Sequence, residues 1–505
     1  MPYAARSCFK LAPPLLFAAL AGCAGINVAT VDRAPLREHQ TAIPASLHDC
    51  RAGYDALDAM ARNHDTVDAR HQRVENLAYL RTSRFLASVD VGGLSEAAYQ
   101  RWLMLQNAKA VEGLFIEWLR LPPTAQQRLS QHWPGEPAAV KGALTHCGAA
   151  LVAHQAALPR LTGMAASDHY QPWKRWAGLY PVVAMPFYLA VVKEHQRLQQ
   201  LQQELVDSDA ERAGQWTYYQ QPISSPSPAD ALALLRQQPL DELGIPLLDS
   251  DIEDQLLSAF VPALAIENTN GAAADNDRPA QLIADAAGTI QRDTTQPTIY
   301  SHVSHGRYQG QVTLQLNYSV WFTERKPTQV LDLLAGQFDG ITWRVHVLPS
   351  GTVLGYDKMH QCGCWYQFFP AKGFDAQPAL PRTQEPFNIG STLHPEQRHT
   401  LWLAANTHHL LGVQAEQRPR LTQPLTMQPY AQLRALESPS GGYYSPFDAQ
   451  GLVSESRRPE RLLFWPMGIP SPGAMRIHGT HAIAFIGYRH FDDPGLLDEL
   501  GLDPL

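Results

Sequence analysis

Two short stretches hold residue types suited to chemistry: YSHVSHGRY, with His302 and His305, and HQCGCW, with His360, Cys362 and Cys364. Thiolate sulfur and imidazole nitrogen are the ligands zinc takes in tetrahedral sites. A thiol beside an imidazole is also the pairing of a cysteine nucleophile with its base. Eleven of the 20 histidines lie between 302 and 490, which gathers these groups in the C-terminal half. Spacing argues against simple assembly. On a strand rising about 3.3 Å per residue, His360, Cys362 and Cys364 share a face, but His360 and Cys364 stand about 13 Å apart. Gly363 can bend the chain and shorten that. His302 and His305 are three apart, so they face opposite sides of a strand and meet only on a helical turn, unless Gly306 marks a bulge. Three readings stay open: a zinc site, a strained and reducible Cys362–Cys364 bridge, and a cysteine nucleophile beside His360. The plainer one is satisfied histidines at the end of a sheet with a Cys-Gly-Cys turn.

The element that must position these groups lies between them. Residues 311–322 read QVTLQLNYSVWF. Val312, Leu314, Leu316, Tyr318, Val320 and Phe322 fall on one parity; Gln311, Thr313, Gln315, Asn317, Ser319 and Trp321 fall on the other. Strict alternation rich in β-branched and aromatic residues predicts a strand with one core face. The second face is amide-rich. With His302, His305, Tyr300, Tyr308 and His360 nearby, it is expected to look into a polar pocket. There Gln315 and Asn317 would support the ring of His302 or His360 by hydrogen bonds.

Composition bounds the rest. A chain of 505 residues, 45% hydrophobic and 17% charged, is a packed protein of two or three domains. A formal charge of −8 argues against a nucleic-acid partner. Leu47, Cys50, Tyr54, Leu57 and Ala61 sit at helical spacing. So do Tyr99, Trp102, Leu103, Val111, Leu114 and Trp118, and again Val140, Leu144, Cys147 and Leu151. Residues 46–213 therefore read as a helical domain. Residues 214–248, rich in Pro, Ser and Gln, read as a linker, and 249–505 as a β-rich domain. Further strands are expected at Pro262–Glu267, His399–Ala405, Leu410–Ala415, Arg461–Trp465 and Ala474–Phe485, with a last short helix after Asp493-Pro494. The fold class is α+β, the sheet mainly antiparallel. The uncharged run Trp176 to Val192 approaches the length of a membrane span. Pro181 and Pro186 break a helix twice, so it is expected to be a buried segment of the helical domain. A surface dipping into a membrane is the sharper alternative.

The N-terminus speaks to location. Arg6 and Lys10, the apolar run LAPPLLFAALA and a small-residue boundary describe a signal peptide over residues 1–22. Leu20-Ala21-Gly22-Cys23 resembles the lipobox of bacterial lipoproteins. The resemblance implies cleavage before Cys23 and lipid on it, palmitate included, with residues 23–45 as a lipidated tether. Ala24, where Asp is absent, implies the outer membrane, facing the periplasm. In that oxidising compartment a Cys50–Cys147 disulfide is plausible.

Ile477-His478-Gly479-Thr480 resembles a piece of the L,D-transpeptidase family. That family's nucleophile comes from a downstream Ser-His-Gly-Cys run, and no cysteine follows residue 364 here, so its activity does not carry over. The chain shows no phosphate loop, dinucleotide fingerprint, nucleophile elbow or HExxH. The expectation is an envelope lipoprotein that binds or scaffolds, its partners the membrane through lipid and an envelope component. The alternative is a metal- or cysteine-dependent hydrolase acting on envelope material. No cofactor is firmly implied; zinc is the candidate.

Overall fold

The computed structural model describes residues 44–505 except 208–215, 223–225, 269–272, 382 and 417–421. The signal peptide, Cys23 and nearly all of the tether lie outside the described residues. The chain from Leu36 onward forms one compact unit. Its long helices concentrate in the N-terminal region and its mainly antiparallel sheets in the C-terminal region, as the α+β reading expects.

Three helices, His48–Asn63, Glu96–Arg120 and Pro137–Ala156, make the N-terminal layer. Their apolar stripes meet around Tyr54, Trp102, Leu114 and Leu144. Ser95 caps the longest helix by accepting from the Ala98 amide at 3.1 Å. Cys50 and Cys147 are joined by a disulfide that staples the first helix to the third.

The β-rich part centres on a six-stranded sheet. Its order is Gln367–Pro370, Val353–His360, Gly336–Val347, Gln311–Arg325, Thr298–Tyr308, Thr426–Pro429, antiparallel except for the last pair. The strand built on QVTLQLNYSVWF lies inside it, flanked by strands on both sides. One face packs against a five-stranded sheet containing Ala263–Glu267 and His399–Leu403 and against the helices Pro228–Leu235 and Ser250–Phe260. Leu314, Leu316, Tyr318 and Val320 join Leu264, Ile266, Leu401 and Leu403 in that core. The other face is polar and also buried: Thr313, Gln315, Asn317 and Ser319 are all shielded from solvent. Residues 430–491 help to cover it, with Tyr430, Met475, Ile477 and Phe491 buried there.

Four expectations are corrected. Arg461–Phe464 is a short helix rather than a strand. Ala474–Phe485 is irregular, held by single bridges and turns. The stretch 214–248 carries a strand, Trp216–Gln220, and the helix Pro228–Leu235. The run Trp176–Val192 is helical and outward-facing, not buried: Trp176 is 85% and Val182 69% exposed. A helix without charge reads as buried from sequence, but burial needs an element to cover it, and none of the described residues does.

Candidate functional site

The strand Thr298–Tyr308 is bordered on its outer side by Thr426–Pro429 only over its first four residues. Beyond Ser301 no strand among the described residues pairs with that edge, although the Arg307 amide donates to the Pro494 carbonyl at 2.7 Å, and chain segments from distant parts of the sequence converge on it. The loop after the first helix brings Arg70 and His71. The four-residue helix Arg84–Ala87, capped by Ser83, brings Arg84. Helix Glu96–Arg120 brings Lys109, the sheet brings Ser304, His305 and Gln315, and the C-terminal segment brings His478 and Asp492. Together they line a cavity of about 90 Å³. A second cavity of about 350 Å³ adjoins it, sharing Arg70, His71, Ser83, Arg84, Gly479 and Asp492 and adding His169 and Thr480.

The walls are held by ion pairs. Arg434 binds Asp68 through both carboxylate oxygens, at 3.0 and 2.5 Å, and also pairs with Glu112. Glu112 accepts from Arg70 Nη1 at 3.3 Å. Burial alone would raise the Glu112 carboxyl, but Arg434 and Arg70 outweigh it and hold the group well below the usual carboxylate range. Arg84 donates to Asp493 at 3.0 Å, and its Nε stands 3.5 Å from Asp492 Oδ1. The Ser304 hydroxyl donates to Gln315 Oε1 at 2.8 Å and accepts from Asn317 Nδ2 at 2.9 Å.

Several lining atoms are buried without a hydrogen-bond partner: Arg70 Nε, both ring nitrogens of His71, Arg84 Nε, His478 Nδ1 and Asp492 Oδ1. Buried polar groups are normally satisfied; Arg84 Nε and Asp492 Oδ1 face each other at 3.5 Å as an ion pair, whereas Arg70 Nε, the His71 ring and His478 Nδ1 are left with unused hydrogen-bonding capacity. The imidazoles are held neutral. Burial, with Lys109 and Arg70 beside it, keeps His71 well below its ordinary value; burial, His302 and Arg70 do the same for His478. His305 is pushed down to about 4 by burial and Lys109. Burial moves Lys109 down and Asp492 up. The result is a concave surface with cations, imidazoles held neutral, and one carboxyl biased toward its neutral form.

Of the residues singled out from sequence, His305 and Gln315 line this cleft. His302 lies beside it, its ring 4.3 Å from that of His478. Asn317 is behind it and donates to Ser304 and to the His302 carbonyl, at 3.4 Å, rather than to an imidazole nitrogen. His360, Cys362 and Cys364 are elsewhere. His360 ends the strand Val353–His360, which two other strands separate from Thr298–Tyr308, about 14 Å at the usual spacing, and Cys362 and Cys364 lie in the turn that follows it. No group of three or more His, Cys, Asp or Glu among the described residues is placed to hold a metal ion. Gly363, at φ +89°, turns the chain so that a Cβ there would meet the Ala482 carbonyl oxygen at 2.3 Å. The turn brings the Cys364 amide onto Cys362 Sγ at 3.4 Å. The His360 ring contacts Asp339, Trp365 and His409, whereas Cys362 packs among Tyr300, Trp321 and Met475. No hydrogen bond between the His360 ring and either thiol is seen among the described residues. Lys358, brought down to about 7 by burial, donates to the Trp365 carbonyl at 3.1 Å.

No family model, curated protein or solved structure matches the chain. The site is thus read from its own chemistry. Sequence reasoning missed Arg70, His71, Arg84, Lys109 and Asp492. The cluster DARHQR at 68–73 was a visible concentration of charge, but nothing in it says that the sheet edge lies opposite.

Proposed function

We propose that this protein is a lipid-anchored envelope protein that binds a small anionic ligand, bearing phosphate or carboxylate, in the cleft at the open edge of Thr298–Tyr308. The observation that carries the reading is that Arg70 Nε, both ring nitrogens of His71 and His478 Nδ1 are buried around one concavity without a hydrogen-bond partner, although the arginines there also pair with carboxylates through other atoms. A desolvated guanidinium recognises a planar or tetrahedral oxyanion strongly because the cost of removing water is met before binding.

Binding rather than turnover is favoured by the cleft hydroxyls. Ser83 Oγ caps a helix by accepting from the Leu86 amide, and Ser304 is locked between two amides. A hydrolase is the second reading, and Asp492 favours it, since a buried carboxyl with a raised pKa beside neutral imidazoles is the equipment of acid–base chemistry.

Calorimetric titration with inorganic phosphate and with citrate tests the binding. The expected result is saturable binding of at least one of them, weakened tenfold or more by Arg70→Gln. An anion raises the depressed pKa values of His71 and His478, so binding takes up protons and affinity rises as pH falls from about 7 to 5. The free protein moves the other way. Histidines with folded pKa values below the unfolded value of about 6.5 stabilise fully above that pH and lose their contribution as pH falls below it. Saturation by neither anion at millimolar concentration sinks the proposal. Hydrolysis of a phosphate ester abolished by Asp492→Asn, with phosphate affinity retained, would favour the enzyme.

A further inference from the structure

From residue 172 to 192, every exposed side chain is apolar. They are carried by the short helix Pro172–Ala177 and the first turns of the long helix Tyr180–Asp207. Trp173, Trp176, Leu179, Val182, Met185 and Leu189 recur at helical spacing and are 58–85% exposed. The opposite side of these helices is tied to the body. Arg175 is buried, donates to the Met467 carbonyl at 2.8 Å and lies over the rings of Tyr170, Tyr180 and Tyr488. The Gly487 amide donates to the Tyr180 hydroxyl at 2.8 Å. Phe187 packs on Phe464 with ring centroids 5.3 Å apart. The helix that carries Phe464 adds Leu462 and Leu463, 73% and 55% exposed, to the exposed apolar surface. The orientation is therefore built: the apolar side is held outward by specific contacts on the inward side.

We propose that this face is a bilayer docking surface, lying in the boundary between headgroups and acyl chains. Three observations select lipid over a second copy or another protein. First, the chemistry matches the interface. Two exposed indoles sit at one end of the stripe with half-exposed Lys174 between them, over the Trp173 ring, and exposed Lys193 follows its other end, a combination of aromatic and basic residues suited to a helix lying in the plane of an anionic membrane. Second, the stripe is not built to span. No helix among the described residues is long and apolar enough to cross a membrane, and Pro186 interrupts the ladder. Third, the Leu20–Cys23 tetrad marks lipid attachment 21 positions before the first described residue. A tether of that length reaches at most about 70 Å, so the anchor would hold the face within range of its own bilayer and raise its effective concentration there. The third argument rests on the lipidation read from the sequence; the first two do not.

The test uses the chain from Leu36 onward, which forms the compact unit by itself and has no anchor. It is floated with vesicles of phosphatidylethanolamine and phosphatidylglycerol, and its tryptophan fluorescence is followed with brominated lipid. The expected result is co-flotation, with quenching that disappears in Trp173→Phe/Trp176→Phe. Val182→Asp/Leu189→Asp should reduce bound protein tenfold or more while far-ultraviolet circular dichroism stays unchanged. Failure to float overturns the proposal. So does a dimer, by light scattering, that Val182→Asp dissociates, because a second copy would then be the occupant. Metabolic acyl labelling of the full chain, lost in Cys23→Ser, tests the anchor separately, so failure of one reading is distinguishable from failure of the other.

Discussion

The cleft and the outward helix depart from ordinary packing in opposite directions. At the open end of Thr298–Tyr308, arginines, histidines and amides are buried around a concavity. On the helices from Pro172 onward, tryptophan, leucine, valine and methionine stand in solvent on a convex face. Single exposed apolar residues are common, and so are single buried polar ones; clusters of either are not. Each cluster has a cost that the fold alone does not recover. For the cleft it is desolvation of cations and imidazoles; for the helix it is apolar area left in water. The difference lies in how each is supported. The cleft is embedded in a network joining the helical layer to the C-terminal segment, so its residues serve the fold as well as any ligand. The exposed stripe touches nothing behind it except through residues of the opposite helix face. Substitutions should therefore separate the two surfaces by their effect on stability.

The largest effect is expected at Arg434. It is fully buried and joins Asp68 to Glu112, tying the loop after the first helix, helix Glu96–Arg120 and the C-terminal segment together. Arg434→Met removes the charge and keeps much of the volume. Asp68 is then left with Arg81 Nη1 at 3.8 Å as its nearest cation. Breaking a buried pair by deleting one partner costs about 3–5 kcal/mol, to be read from the midpoint of urea unfolding at constant slope. A cost under about 1 kcal/mol would show that the walls of the cleft do not depend on this network.

A smaller loss is expected at Asn317, on the polar face of the central strand. Its amide donates to Ser304, to the Gln315 carbonyl and to the His302 carbonyl. Asn317→Thr leaves these acceptors without their donor in a site closed to water, which costs about 1–3 kcal/mol. The same substitution on a face open to solvent would stay within about 0.5 kcal/mol. An unchanged unfolding midpoint would mean that water replaces the amide, and that this face is wetter than its burial implies.

The two surfaces were also legible to different degrees. Alternation in Gln311–Phe322 specifies a strand because a period of two is a local property. The amides at Gln315 and Asn317 announce a second face unlike a solvent face. Helical stripes around Tyr54, Trp102 and Leu144 are local in the same sense; the Cys50–Cys147 disulfide was only plausible from the sequence, because no local pattern records that the two helices meet. The cleft is not local. Arg70, Lys109, His305, Gln315, His478 and Asp492 come from segments up to 422 positions apart, and no period in the chain records that they meet. The histidines at 302 and 305 pointed to the right strand. Those at 360 and beyond drew attention to a turn whose His360 ring stands 3.7 Å from Asp339, in a different part of the sheet from the cleft. The outward helix failed for another reason. Charge-free runs are ambiguous between a buried element and an exposed docking face, since both lack polar side chains. Only the absence of a covering element among the described residues decides between them.

The smallest effect is expected on that helix, and it carries the sharpest contrast with Arg434. Val182 is 69% exposed and Leu189 is 62% exposed, so neither loses appreciable packing on replacement. Aspartate at 182 falls near the helix N-terminus, where a negative charge interacts favourably with the helix dipole by a few tenths of a kcal/mol. Against that stands the lower helix propensity of aspartate only relative to the best formers, since valine is itself a poor one. The two terms nearly cancel, and Val182→Asp should change unfolding stability by no more than about 0.5 kcal/mol. A loss above about 1 kcal/mol would mean that the stripe packs against something in solution, a second copy included, and the contrast between a surface built into the fold and a surface held ready for a membrane would collapse. A neutral outcome in the same variant that no longer floats with vesicles would place the function of these side chains outside the fold altogether.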